Sequence, residues 1–252
     1  MVSREGYLAH SENRFSAKPA MACIQKSWSD LHDVRRRRPS GPPGDETEAI
    51  LFALAKAVEQ RDRHTAGHCE RMAFIAVALG AVVGLEHASL VTLYRGGFLH
   101  DVGKVGIPDS ILFKPGKLTA EEWVIMRTHT VRGVEICRHL QSLRPVLPLI
   151  RHHHERWDGS GYPDGLRGEQ IPLLARILQL ADIYDALTSP RPYKPAFQPH
   201  EALEIMEQET SRGWRDPSLM ARFFVLHEDV LLKLHASDGS LVALEDSLKK
   251  LQ

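Results

Sequence analysis

Histidine recurs along this chain at helical spacing, on the same faces as the residues that must form a core. Of 14 histidines, nine fall between residues 64 and 154: His64, His68, His87, His100, His129, His139, His152, His153 and His154. His68 shares a stripe with Met72, Ile75 and Leu79, while Leu90, Leu93 and Gly97 lead to His100 and Asp101. Trp123 and Met126 align with His129, Thr130 and Gly133, and Ile150 aligns with His153 and His154. Any one histidine on an apolar face is usually a core residue with a satisfied hydrogen bond. Four such faces meeting in one bundle would crowd imidazole lone pairs with nothing to bind, which a metal site between helices resolves.

The rest of the chain supports an all-α fold. Asp45 can cap a helix carrying Ile50, Leu51, Leu54 and Val58, and the next helix runs from Thr65 to a stop at Gly84. Thr119 and Glu122 form a capping-box pattern that opens the helix through Trp123 to Gly133. Further helices are expected over 145–156, 172–188, 200–211, 217–235 and 241–250, and no segment alternates as a strand would.

Charge and cysteine usage narrow the setting. Lys+Arg and Asp+Glu each number 32, so the net charge is zero and no long-range field favours a nucleic-acid polymer. Hydrophobic residues at 43% leave enough apolar chain for a packed core. Cys23, Cys69 and Cys137 follow no motif spacing and read as small buried hydrophobes in a reducing cytoplasm. No stretch has the length of a membrane span, so neither a membrane nor secretion is expected. Residues 1–44 carry an excess of four positive charges and end in Arg35–Arg38 followed by Pro and Gly, a solvated basic tail or linker. Met21, Ile24, Trp28 and Leu31 would lie on one face of a short amphipathic helix there. A main domain over 45–235 and a helical extension over 236–252 complete the expected organisation.

Two local sequences carry the chemistry: His100-Asp101 within LHDVGKVGIP, and HHERWDGSGYPDGL at 153–166. An adjacent His and Asp at a helix end can put an imidazole on one ion while the carboxylate bridges two. Together with RDRHTAGHCERM at 61–72, RTHTVRG at 127–133 and ARILQLADIYDALTSPRPYK at 175–194, these stretches resemble the HD-GYP subgroup of the HD phosphohydrolase superfamily over roughly residues 46–225. The name-giving residues are His100-Asp101 and Gly161-Tyr162-Pro163.

The resemblance implies an HD-type helical bundle that hydrolyses cyclic di-GMP to pGpG and then GMP at two divalent ions. Its metal ligands map onto His68, His100, Asp101, His129, His153, His154 and Asp182, with Asp101 bridging. Where some members carry a third-metal ligand this chain has His64, which could bind a third ion, line the pocket or face solvent. Imidazole and carboxylate ligation suits iron or manganese, and such ions, about 3.5 to 4 Å apart, make a nucleophile available at neutral pH. Lys104 is the candidate for the scissile phosphate, with a helix-end salt bridge as the structural alternative. Tyr162, Arg191 and Lys194 match substrate-contacting positions. Asp185 reads as a group that orients ligands, Arg176 and Glu155 as buried pair-formers, and His152 as pointing away from the centre.

The family's Gly-Thr-x-Phe-Asp-Pro signature is reduced to Asp216-Pro217, and 44 residues are too few for a receiver or PAS domain, so control by a partner or by metal loading is expected. A diguanylate cyclase or another regulatory protein, and a homodimer, are the partners such a protein would take. Two alternatives stand beside hydrolysis of cyclic di-GMP: a non-catalytic module that binds cyclic di-GMP or docks on a diguanylate cyclase, and a phosphohydrolase for another cyclic dinucleotide.

Overall fold

The computed structural model describes residues 44–61, 67–190, 195–227 and 231. The amphipathic stripe at 21–31, Cys23, His64, Arg191, Lys194 and the extension at 236–252 lie outside them. Every regular element among the described residues is helical: α1 Gly44–Arg61, α2 His68–Val83, α3 His87–Leu99, α4 Asp109–Leu112, α5 Ala120–Arg127, α6 His129–Cys137, α7 Leu147–His152, α8 Leu173–Thr188, α9 Pro199–Ser211 and α10 Pro217–Leu226, joined in places by short 3-10 turns.

Helix α2 is apolar nearly all round, as a central helix must be, and it buries 13 residues from His68 to Val82. It stops at Gly84, whose left-handed backbone (φ 87°) lets the Gly84 and Leu85 N–H groups return to the Ala81 and Gly80 carbonyls. At its other end no side chain of α2 caps the helix; Glu59 of α1 does so from outside, its carboxylate accepting from the Cys69 N–H at 3.0 Å. Helix α3 crosses α2 where Gly97 meets Ala73, so closely that a Cβ on Gly97 would lie 2.6 Å from the Ala73 Cα. That crossing brings His100, at the end of α3, to a ring-centroid distance of 5.6 Å from His68, at the start of α2.

Three expectations shift. Residue 45 is not a cap, because α1 already begins at Gly44. The helix opened by Thr119 does carry both halves of the capping box, with the Glu122 N–H on Thr119 Oγ1 and the Thr119 N–H on Glu122 Oε2. It ends at Arg127, however, and α6 starts afresh at His129. The break at Thr128 turns the first segment away from the core, so Trp123 is 45% exposed rather than continuing the buried stripe. Cys69 and Cys137 are buried free thiols, and no described helix is long and apolar enough to cross a membrane.

Candidate metal centre

Seven side chains meet where the ends of α2, α3, α6 and α7 face the middle of α8. Four of the five imidazoles are aimed by a hydrogen bond at the far nitrogen. Nδ1 of His100, His129 and His153 lies 3.1, 2.8 and 2.9 Å from the carbonyls of Gly97, Met126 and Ile150, three residues back in each case. As the proton donor of each pair, Nδ1 leaves Nε2 with its lone pair turned inward. His68 differs: its Nδ1 is 2.6 Å from Asp185 Oδ2, and Arg71 holds that carboxylate through Nε at 2.6 Å and Nη2 at 3.1 Å.

The inward atoms fall into two neighbouring groups. His68, His100 and Asp182 make one; Asp101, His129, His153 and His154 make the other, and within each group the ligand atoms lie within 4.8 Å of one another. Asp101 spans the two, with Oδ2 3.1 Å from His100 Nε2 and Oδ1 3.3 Å from His129 Nε2. His154 packs against His153 with ring centroids 4.0 Å apart. All seven residues named from the sequence as candidate ligands are therefore brought together.

The donor set fits divalent metal. His100 Nε2 and Asp101 Oδ1 are buried and have no hydrogen-bond partner among the described residues, an arrangement that a polar core avoids unless something binds there. Burial pushes the His153 imidazole well below its ordinary range, reinforced by His154, and it lowers His154 to about 3 and His129 more modestly against the pull of Asp101. Burial would raise the Asp101 carboxyl, but Lys104 and His100 outweigh it and hold it well below the usual range. His68 is lowered by burial and raised by more through its bond to Asp185. Three imidazoles neutral at pH 7 beside an ionised Asp101 are the protonation states that metal ligation requires.

Lys104 Nζ lies 2.6 Å from Asp101 Oδ2, so the salt bridge raised as its alternative role is present at the edge of the cluster. Tyr162 stands with its ring 4.8 Å from His154, in a loop turned by Gly159 and Gly165 at positive φ. Gly161 is required for another reason, because a Cβ there would sit 2.2 Å from the Arg156 nitrogen. Glu155 is fully buried, as expected, yet no Lys or Arg among the described residues pairs with it: its two carboxylate oxygens accept the N–H groups of Asp164 and Leu166 and hold the loop shut. Arg176 does form its ion pair, at 2.6 Å with Asp216, which also caps α10 through the Ser218 and Leu219 N–H groups.

His152 faces away, toward Glu155 and Asp164, the latter already paired with Arg151 at 2.7 Å. Sequence reasoning missed Arg71 and Gln179. Arg71 lies three residues after His68 and Gln179 three before Asp182, so each shares a helical face with a ligand, and that was the available signal. The Gln179 amide donates to the carbonyls of His153 and Glu155 and ties α7 to α8.

The profile of the HD domain family matches residues 53–219. The chain is 43% identical over 195 residues to the cyclic di-GMP phosphodiesterase response regulator RpfG of Xanthomonas campestris, covering 77% of this chain and 49% of the relative. It is 39% identical over 197 residues to the 3'3'-cGAMP-specific phosphodiesterase 2 of Vibrio cholerae, covering 77% of this chain and 37% of the relative. This chain thus spans about half or less of the length of these relatives. Among solved structures, a cyclic GMP-AMP specific phosphodiesterase of Vibrio cholerae superposes with a TM-score of 0.57 at 23% identity, over 78% of this chain and 53% of that one. A Bdellovibrio bacteriovorus protein described as HDG"Y"P reaches the same score at 17% identity, over 89% and 78%. The bundle, the paired His100-Asp101 and the match across residues 53–219 place this chain in the HD domain family.

Proposed function

We propose that this chain is a metal-dependent phosphodiesterase that opens a cyclic dinucleotide, cyclic di-GMP first, to the linear dinucleotide and onward to mononucleotide. The observation that carries the reading is the double ligand group spanned by Asp101, whose two oxygens face the two groups. Two divalent ions held there, iron or manganese by ligand type, would supply Lewis acidity toward the phosphodiester and a nucleophile at neutral pH. The protein's part is positional. The backbone carbonyls behind His100, His129 and His153 and the Asp185 carboxylate behind His68 fix the imidazoles before anything binds. Lys104 keeps a cation beside Asp101 and is placed to meet the phosphate charge, with Tyr162, Arg191 and Lys194 as further substrate contacts. Residues 45–235 form the catalytic unit, and we place it in the cytosol.

Anaerobic purification with metal analysis, followed by product identification from cyclic di-GMP, tests the reading. Two ions per chain and conversion to pGpG or GMP are expected, both lost in His100→Ala and Asp101→Ala. Intact cyclic di-GMP with fully loaded protein sinks it. The relative named as specific for 3'3'-cGAMP gives a second reading, the mixed cyclic dinucleotide, which a competitive substrate panel decides.

A further inference from the structure

Helix α5, at the mouth of the cluster, carries two side chains that neither the core nor the metal centre uses. It buries no residue of its own, and Trp123 and Val124 are 45% and 68% exposed. The exposed Arg127 guanidinium lies over two rings, its Cζ 5.2 Å from the Tyr162 centroid and 5.9 Å from that of Trp123. Tyr162 is in turn the ring that stands against His154. Arg71, Arg151, Arg176 and Arg215 each pair with a carboxylate, whereas the Arg127 side chain makes no hydrogen bond or ion pair among the described residues. Its faces are held by aromatic contact while its five N–H donors remain unused, one ring away from the metal ligands.

We propose that Trp123 and Arg127 form the subsite for a guanine base of the substrate, the base stacking on the exposed indole and the guanidinium donating two hydrogen bonds to O6 and N7. This rests on the cyclic-dinucleotide reading above. Stacking tolerates any base, since each has a π face, so Trp123 contributes affinity. Arg127 contributes selectivity: adenine presents an amino donor where guanine presents O6, and a guanidinium has no acceptor to receive it. The ligand cluster, which can engage only the phosphodiester, is blind to that difference. Arg127 is then the residue that sets which cyclic dinucleotides this chain accepts.

The test uses metal-loaded wild type, Arg127→Ala, Arg127→Gln and Trp123→Ala, with circular dichroism and metal content confirming each fold. Cyclic di-GMP, mixed cyclic GMP–AMP and cyclic di-AMP compete for turnover, while GMP and AMP binding is titrated by calorimetry with no chemistry needed. Arg127→Ala is expected to shrink the guanine-over-adenine ratio by roughly 5- to 100-fold in both measurements. Arg127→Gln, whose amide suits adenine N6 and N7, should move the ratio further toward adenine. Trp123→Ala should weaken all ligands about tenfold and leave the ratio in place. An equal loss for every substrate in Arg127→Ala would mean a phosphate contact and overturn the base subsite, as would an unchanged ratio or a wild type indifferent to the base. Failure of wild type to cleave any of the three, with an Arg127-dependent preference for GMP over AMP retained, removes the phosphodiesterase reading and leaves the subsite standing.

Discussion

Asp185 has the most to lose of any single residue around the cluster. It holds His68 at 2.6 Å, receives Arg71 on both oxygens, and through Arg71 is linked to Ser189 at 3.0 Å, beside the segment that contains Arg191. Asp185→Asn keeps the shape but weakens the acceptor facing His68. We expect metal affinity to fall about 10- to 100-fold, read by titration with the metal, with helix content unchanged. The imidazoles also set a pH dependence. His129, His153 and His154 have folded pKa values lowered from 6.5, the last to about 3, so the fold holds them neutral. As pH drops below 6.5 the unfolded chain takes up protons that these three refuse, and stability falls. His68 runs the other way: its raised value gives a contribution that is complete below 6.5 and fades as pH rises through the folded pKa. Three groups outweigh one, so chelator-treated protein should melt at a lower temperature at pH 5 than at pH 7. A higher melting temperature at pH 5 would refute this.

Among the glycine contacts between elements, the tightest is between the turn after His100 and helix α6. A Cβ on Gly103 would lie 1.9 Å from the His129 carbonyl oxygen and 2.5 Å from the Gly133 nitrogen. Neither obstacle is a flexible side chain, so Gly103→Ala must push α6 away from Asp101. Overpacking of this kind costs about 1 to 3 kcal/mol, and it would separate His129 from its group as well. Chemical denaturation should report the destabilisation, and metal analysis an ion content below wild type in the same sample. The glycine in the HDVGK stretch therefore has a packing reason as definite as the ligands beside it. At this scale local signals were legible in the sequence: the capping box at Thr119 and the glycine stop at Gly84 depend only on neighbours in the chain. The break at Thr128 was not, because the periodicity runs through it. What decides there is that His129 must start α6 facing Asp101 while α5 lies outside the core.

For the whole molecule, the Arg176–Asp216 pair joins α8, which carries Asp182 and Asp185, to the start of α10. Asp216 is 4% exposed, caps α10, and is the partner that Arg176 meets at 2.6 Å. Asp216→Ala removes the cap and leaves a largely buried guanidinium uncompensated, a loss of about 3 to 5 kcal/mol by thermal or urea unfolding. A value under about 1 kcal/mol would show that the pair is not structural. The sequence alone determined that the chain is helical and that its histidines lie on core-facing stripes, since helical period is a property of neighbouring residues, and its motif order, through the family resemblance, singled out seven candidate ligands. Only the tertiary structure decided how those seven divide into two groups, that the ligand Asp185 orients is His68 and that Arg71 joins it there, that Glu155 binds loop backbone rather than a described Lys or Arg, and that Trp123 and Arg127 stand outside the core. Each of those facts depends on residues far apart in the chain, such as His68 and Asp185 at a separation of 117, that meet only when helices cross. Periodicity states which face of a helix is buried; it is silent on what the opposite helix brings to that face.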